Sequence, residues 1–236
     1  MPKLKVRKRT IVSVRTAMPR GPITTRRTGW QKDPKGVAKR LVDAFDRIVH
    51  RDGFEALTAE RVLREARVGK SALYNYFGGL AGLARAWGSS RQLVPAPGEI
   101  IGGAPVEFHK QDLAGQFIHN LQGYAQALRA RPTMLQVMSY ELFGSNDITQ
   151  ALGELRDRMG AQLRTYFPSG TETDSEDAVA VSVLMVAALN YLMLRAESRL
   201  SYYGMRLDKA EDWAKVQTMI ERIVRGMLGK NPASRR

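Results

Sequence analysis

Apolar residues recur at spacings of three and four in almost every segment of this chain. No segment alternates apolar and polar residues in the way that a half-buried strand does. The clearest stripe predicts a helix that begins at Pro34 and ends before Gly53, and its members are Val37, Leu41, Phe45, Ile48 and Val49. Because the same period continues along the chain, the sequence predicts an all-α fold.

Proline, glycine and asparagine clusters divide the chain into further helices. A second helix is predicted after Thr58, which is a suitable N-cap residue, and a third over Lys70–Tyr76. The remaining helices are predicted near residues 79–94, 106–130, 132–143, 147–167, 175–203 and 208–229. Three closely spaced helices followed by six others indicate a small N-terminal domain joined to a larger helical one.

The basic charge is concentrated at the front of the chain. Residues 1–90 contain 20 Lys and Arg against 7 Asp and Glu, whereas residues 91–236 contain 17 against 16. This separation indicates a polyanion-binding front half, although a basic solvated tail on an ordinary domain is the alternative. Residues 1–33 hold ten of the basic side chains and show no helical or strand period, so we expect a disordered arm. A translational start at Met18 would shorten that arm.

The second and third predicted helices are joined by a tight turn, as in a helix-turn-helix. Leu73 and Phe77 are four residues apart and therefore share the buried face of the third helix. Val68 then fills the corner between the two helices, and the opposite face of the third helix points outward. An outward-facing short helix with polar and tyrosine side chains is what a major-groove reader requires.

Residues 36–87 closely resemble the DNA-binding domain of the TetR family. The matching positions are Gly53, Phe54, Glu55, Ala56, Leu57, Thr58, Val62, Ala66, Val68, Lys70, Leu73, Tyr74, Tyr76, Phe77 and Leu83. The resemblance implies a three-helix DNA-binding domain with a helix-turn-helix, followed by a larger helical ligand-binding and dimerisation domain. The expected boundaries are an arm at 1–33, the DNA-binding domain at 34–78, the larger domain at 79–230 and a tail at 231–236.

The resemblance also implies which residues contact DNA. The expected contacts are Thr58, Arg67, Gly69, Lys70, Ser71, Tyr74, Asn75 and Tyr76. An alternative for the two tyrosines is that they pack against the first helix. The chain departs from the family where Arg67 replaces the usual turn glycine, Gly69 the usual capping serine, and Leu80 a lysine that usually meets phosphate.

The C-terminal half provides candidates for an effector pocket and a homodimer interface. Polar or flexible side chains on apolar helices make the pocket candidates His119, Met134, Met138, Tyr140, Glu141, Met185 and Asn190. Each of these is also compatible with an ordinary structural role. The two last helices carry more apolar residues than one packed face requires, which makes the interface candidates Leu184, Ala188, Tyr191, Trp213, Ile220 and Val224.

Other classes of function find little support in the sequence. There is no cysteine, the three histidines are scattered, and neither a P-loop nor a nucleophile elbow is present, so we expect no enzyme, no metal and no cofactor. Residues 178–194 suit a buried helix better than a membrane span, and a cytoplasmic location is expected. The sequence thus predicts a repressor that binds a near-palindromic double-stranded operator and is released by a small apolar or amphipathic effector. The alternative is a DNA-organising protein without an effector.

Overall fold

In the computed structural model, the described residues are 34–103, 105–167 and 176–228, and all their regular elements are helices. Within those ranges the extended pairing consists of one isolated bridge between Tyr202 and Met205. The predicted all-α fold is therefore confirmed. The expected arm at 1–33 and the tail at 231–236 lie outside the described residues.

The N-terminal part contains four α-helices and one turn of 3₁₀ helix. Their bounds are α1 Pro34–Asp52, the 3₁₀ helix Phe54–Ala56, α2 Ala59–Ala66, α3 Lys70–Phe77 and α4 Leu80–Ser90. The first three α-helices agree with the sequence-based positions to within a residue or two. Their shared core is made of fully buried apolar residues from the predicted stripes, including Leu41, Phe45, Ile48, Val62 and Leu73.

Local caps explain where α2 begins and ends. The Thr58 hydroxyl oxygen accepts a hydrogen bond of 3.2 Å from the backbone N–H of Arg61, which satisfies one of the free donors of the first turn. At the other end Arg67 adopts the left-handed conformation, with φ 54° and ψ 49°. Glycine usually occupies such a C-terminal cap because it lacks the Cβ that makes this conformation costly.

The C-terminal part contains seven further helices. Their bounds are α5 Pro97–Ile100, α6 Pro105–His109, α7 Leu113–Arg129, α8 Pro132–Glu141, α9 Asp147–Arg164, α10 Glu176–Glu197 and α11 Ala210–Leu228. The single helix predicted over 106–130 is wrong, because Asp112 caps a new helix by accepting a hydrogen bond of 2.8 Å from the Gly115 N–H. The helix predicted to reach residue 203 ends at Glu197.

The inner helix α7 lies in the middle of this part, with α5, α10 and α11 packed against it. Helix α4 packs against α9 and so attaches the N-terminal helices to the C-terminal ones. The contact is close at Gly88, where an added Cβ would lie 2.7 Å from Cδ1 of Leu155. The absence of a side chain at Gly88 lets the leucines of α9 lie close to the backbone of α4.

Helices α10 and α11 each bury one side and expose apolar residues on the other. Val181, Leu189 and Met193 of α10 are buried, whereas Val183 and Leu184 are more than 60% exposed. On α11 the exposed apolar residues are Met219, Ile223 and Met227. Residues Val179–Glu197 are long and apolar enough to cross a membrane by length and composition, and 17% of that stretch is buried in one chain. The expectation of a buried helix over residues 178–194 is therefore wrong for a single chain, because one side of α10 faces outward. These two faces need a cover that a single copy of the described chain does not supply.

Candidate nucleic-acid interface

One face of α3 is exposed in the described part of the chain and carries most of the predicted DNA contacts. Leu73 is fully buried and Phe77 half-buried, which fixes the inner side of the helix. Lys70, Ser71 and Asn75 are exposed, and Tyr74 is 54% exposed. By the helical period these four residues share one side, whereas Tyr76, 40% exposed, lies towards the edge. With that much exposed surface, neither tyrosine is a core residue of the chain.

The chemistry of that face suits DNA. The ammonium group of Lys70 and the hydroxyl groups of Ser71 and Tyr74 can donate hydrogen bonds to phosphate oxygens. Asn75 has both a donor and an acceptor, the pair that reads the N6 and N7 edge of adenine. Gly69, the N-cap residue of α3, has no side chain to bond the first-turn N–H groups. The amino end of α3 therefore keeps its partial positive charge available to an anion.

The turn before α3 presents two more of the predicted residues. Thr58 is exposed, and since its oxygen accepts the bond from Arg61, its proton can be donated to phosphate. Arg67 is exposed at the end of α2. Among the described residues of the helix-turn-helix, Arg67 and Lys70 make no ion pair with another described residue, so both charges face solvent.

Other arginines near the helix-turn-helix are neutralised by ion pairs between α1 and α2. Arg47 Nε bonds Glu65 Oε1 at 2.8 Å, and Arg61 Nη2 bonds Asp52 Oδ2 at 2.6 Å. The hydrogen bond from Arg47 is the main cause that lowers the pKa of Glu65, and that from Arg51 lowers the pKa of Asp52. Both carboxylates are thus charged at neutral pH and hold α1 against α2 rather than leaving those arginines for phosphate.

A close backbone contact fixes α3 against α4. A Cβ atom at Gly82 would lie 1.7 Å from the carbonyl oxygen of Phe77, the last residue of α3. Gly78 and Gly79 make the turn between the helices with φ of 70° and 124°, values that favour glycine. The glycine-rich run after α3 is therefore structural, and it positions the recognition helix.

The structure distributes the predicted pocket residues over several places instead of around one cavity. Met134 and Met138 are buried, and Met185 is half-buried against the core. The His119 ring lies 3.3 Å from the Gln111 amide, and the Asn190 amide oxygen accepts a bond of 2.8 Å from Tyr124. A cleft of about 270 Å³ is lined by parts of α1, α4 and the start of α8, including Met134.

Two of the pocket candidates lie at the junction with the N-terminal helices. The Tyr140 ring stacks on Phe54 at a centroid distance of 5.7 Å. The neighbouring Glu141 accepts a hydrogen bond of 2.9 Å from Nη1 of Arg156 and pairs with its Nη2 as well. The sequence carries no signal for either pairing, since both join positions that are remote along the chain.

The predicted interface residues also divide into two groups. Leu184, Ala188 and Tyr191 are exposed, and Ile220 is half-buried. Trp213 and Val224 are 4% and 0% exposed, and the guanidinium of Arg129 lies 4.5 Å from the Trp213 ring centroid. Trp213 and Val224 therefore belong to the core of their own chain and have no surface left for a partner.

The described fold and the exposed face of α3 define a helix-turn-helix DNA-binding protein. Residues 41–87 match the model described as bacterial regulatory proteins, tetR family. The N-terminal helices therefore form a DNA-binding domain of the TetR type.

Two solved structures match the chain at low sequence identity. The fatty acid degradation regulator FadR from Bacillus halodurans is 13% identical, with a TM-score of 0.46 over 83% of this chain and 97% of its own. A TetR-family transcriptional regulator from Haemophilus influenzae RD is 19% identical, with a TM-score of 0.41 over 79% of this chain and 94% of its own. No curated protein matches the chain.

Proposed function

We propose that this regulator is a homodimeric repressor that binds a near-palindromic operator and is released from it by a small apolar or amphipathic effector. The observation that carries the DNA-binding part is the exposed side of α3, where Lys70, Ser71, Tyr74 and Asn75 lie together. The residues for which we propose direct contacts are those four together with Thr58, Arg67, Gly69 and Tyr76. In this proposal the protein is cytoplasmic and catalyses no reaction.

The apolar outer faces of α10 and α11 support the dimer. Leu184 is 64% exposed and Met227 51% exposed in one chain, and exposed apolar faces of this kind mark sites of association. A two-fold contact through both helices covers the faces and forms a four-helix arrangement. It also supplies two recognition helices, which enter successive major grooves about 34 Å apart on a near-palindrome.

Polar groups enclosed by the C-terminal helices support an effector site. Tyr124 is 6% exposed, and burial is the main cause that raises the pKa of its hydroxyl. The hydroxyl therefore stays protonated and donates to Asn190. In apolar surroundings a few such groups orient a ligand. A ligand that favours one arrangement of these helices then shifts the population away from the DNA-binding state.

The second candidate is a DNA-organising protein without an effector, which the ten basic residues of the arm favour. Such a protein binds phosphates without reading bases, and its affinity falls steeply with salt. Deleting residues 1–32 removes ten positive charges and no acidic residue. We expect the deletion to make the salt dependence shallower while the protein still distinguishes its operator from other duplexes.

The deciding experiment is a selection of bound duplexes from a random-sequence DNA pool with the full-length protein at physiological salt. We expect enrichment of one near-palindromic sequence that binds the dimer at least about a thousandfold more tightly than random duplex. Enrichment of no sequence, with equal affinity for all duplexes, would reject the operator and support the organising protein instead. A screen of small molecules for release of the selected duplex then tests the effector separately.

A further inference from the structure

Four aromatic rings form a continuous contact between the N-terminal helices and α8. Phe45 of α1 lies 4.9 Å from Trp87 of α4, and Trp87 lies 5.9 Å from Phe54 in the 3₁₀ helix, measured between ring centroids. Phe54 in turn stacks on Tyr140 at 5.7 Å with an interplanar angle of 23°. Aromatic pairs at such distances hold a defined relative orientation, which aliphatic contacts do not.

Phe54 is placed so that its position affects the helix-turn-helix directly. It is 5% exposed, and its carbonyl oxygen accepts a bond of 3.1 Å from the Leu57 N–H. Thr58, the N-cap residue of α2, follows Leu57 immediately. The 3₁₀ turn that carries Phe54 is therefore bonded to the residue directly before the N-cap of α2.

Tyr140 and Glu141 lie at the end of α8, and their side chains contact different partners. The Tyr140 hydroxyl oxygen accepts a bond of 2.9 Å from Nδ2 of Asn146, the residue that caps α9. Glu141 pairs with Arg156, and both side chains are less than a quarter exposed. Burial raises the pKa of the Tyr124 hydroxyl and the charge of Arg156 partly opposes that rise, while the hydroxyl donates to Asn190 of α10. The last turn of α8 thus contacts Phe54 through Tyr140 and Arg156 through Glu141.

The second attachment of the N-terminal helices is of a different kind. Helix α4 packs on α9 at the close contact of Gly88, with an ion pair of 2.7 Å between Arg85 and Glu154 at its edge. The N-terminal helices are thus held against the C-terminal ones at two separate places, by the packing of α4 on α9 and by the stack of Phe54 on Tyr140. Two separate contacts together fix an orientation, so the loss of the stack leaves the helix-turn-helix less firmly oriented.

We propose that Tyr140 is a positioning residue for the helix-turn-helix, and that Glu141, held by Arg156, sets where Tyr140 stands. The proposal rests on the proposed function, and it names the route by which the interior of the C-terminal helices reaches the DNA-binding face.

The test compares affinities for the selected duplex and for random duplex, and needs no effector. Tyr140→Leu removes the stack, whereas Tyr140→Phe keeps it and loses only the bond from Asn146. We expect Tyr140→Leu to bind the selected duplex about fivefold or more weakly, with unchanged affinity for random duplex. Tyr140→Phe is expected to keep most of the wild-type affinity for the selected duplex. The matched control is Phe143→Leu, since Phe143 lies three residues on and is 83% exposed.

A double variant tests the link to Glu141. Glu141→Gln alone is expected to weaken binding of the selected duplex, and adding it to Tyr140→Leu is expected to weaken binding no further, because Glu141 acts through Tyr140. If Glu141→Gln unfolds, the variant Glu141→Gln/Arg156→Gln takes its place, because it removes both charges of the ion pair and leaves neither without a partner. If the affinity losses of Glu141→Gln and Tyr140→Leu multiply in the double variant, Glu141 does not act through Tyr140. If Tyr140→Leu prefers the selected duplex over random duplex as strongly as the wild type does, Tyr140 is not a positioning residue. The same conclusion follows if Phe143→Leu loses as much affinity for the selected duplex as Tyr140→Leu. A wild-type protein that selects no sequence instead contradicts the proposed function.

Discussion

Gly82 of α4 lies directly against the carbonyl oxygen of Phe77, where an added Cβ atom would come within 1.7 Å. The contact joins the end of the recognition helix to the helix that carries it. We expect Gly82→Ala to lower the free energy of unfolding by about 1–3 kcal/mol, because α3 and α4 must separate to make room. Operator affinity is expected to fall as well, since the displaced α3 no longer fits the groove.

Gly160 offers a matched control for that substitution. It lies inside α9, and an added Cβ there would meet nothing within 4 Å. Gly160→Ala is expected to raise the free energy of unfolding by about 0.4–1 kcal/mol, because alanine restricts the unfolded chain more than glycine does. Denaturant titrations of both variants measure the difference, and equal stabilities would contradict the close contact at Gly82.

Arg67 combines a strained backbone with an exposed charge, and two substitutions separate these properties. Arg67→Gly is expected to stabilise the protein by about 1 kcal/mol, because glycine adopts φ 54° without a Cβ clash. The same variant is expected to lose DNA affinity at low salt if the side chain meets phosphate. Arg67→Lys keeps the charge and the strain, so its stability and its affinity should stay near those of the wild type. Denaturant titration measures the stability, and mobility-shift titration at two salt concentrations measures the affinity.

The fold is predictable from the sequence where local rules act alone. The stripe from Val37 to Val49 and the cap at Thr58 are enough to locate α1 and the start of α2. The break at Asp112 escapes prediction because the apolar period runs through it, and a local cap bond begins the next helix. Periodicity reports which side of a helix is buried and is insensitive to a single capping residue.

The candidate site is predictable for α3 and less so for the interior. Lys70 and Asn75 are exposed, as the helical period requires once Leu73 is buried. Tyr140 is a polar group on an apolar helix, which predicts a pocket residue, and only the fold reveals its partner Phe54. Trp213 is one of more apolar residues on α11 than one packed face requires, which predicts an interface. The side of α11 that it occupies nevertheless faces the chain's own core.

Asn75 and Tyr76 are expected to affect DNA binding in different ways. Asn75→Ala removes a group that reads base edges, so it should change the preference at one operator position by about 1–3 kcal/mol. Tyr76→Ala removes a contact near the backbone and should weaken binding to all duplexes alike. Mobility-shift titrations with single-base operator variants separate the two effects. If both variants bind every duplex like the wild type, the proposed orientation of α3 is wrong.

Leu184 and Val224 lie on the same two helices that we propose as the interface, yet charge placed at each should have opposite consequences. Leu184 is 64% exposed and Val224 fully buried. Leu184→Glu is therefore expected to give a folded monomer, because a charge in a dimer interface is desolvated only when the subunits meet. Its operator affinity should fall strongly, since one subunit supplies only one recognition helix.

Val224→Glu is expected to unfold the chain itself, because the carboxylate would lie in the subunit core without a partner. Ala214→Glu is the control on α11, since Ala214 is exposed and the helical period places it away from Met219, Ile223 and Met227. It should remain a dimer with wild-type helicity. Sedimentation velocity at micromolar concentration, together with circular dichroism, measures both properties for all three variants. A dimeric Leu184→Glu protein would move the interface away from this face of α10, and a monomeric wild type would contradict the two-half-site operator.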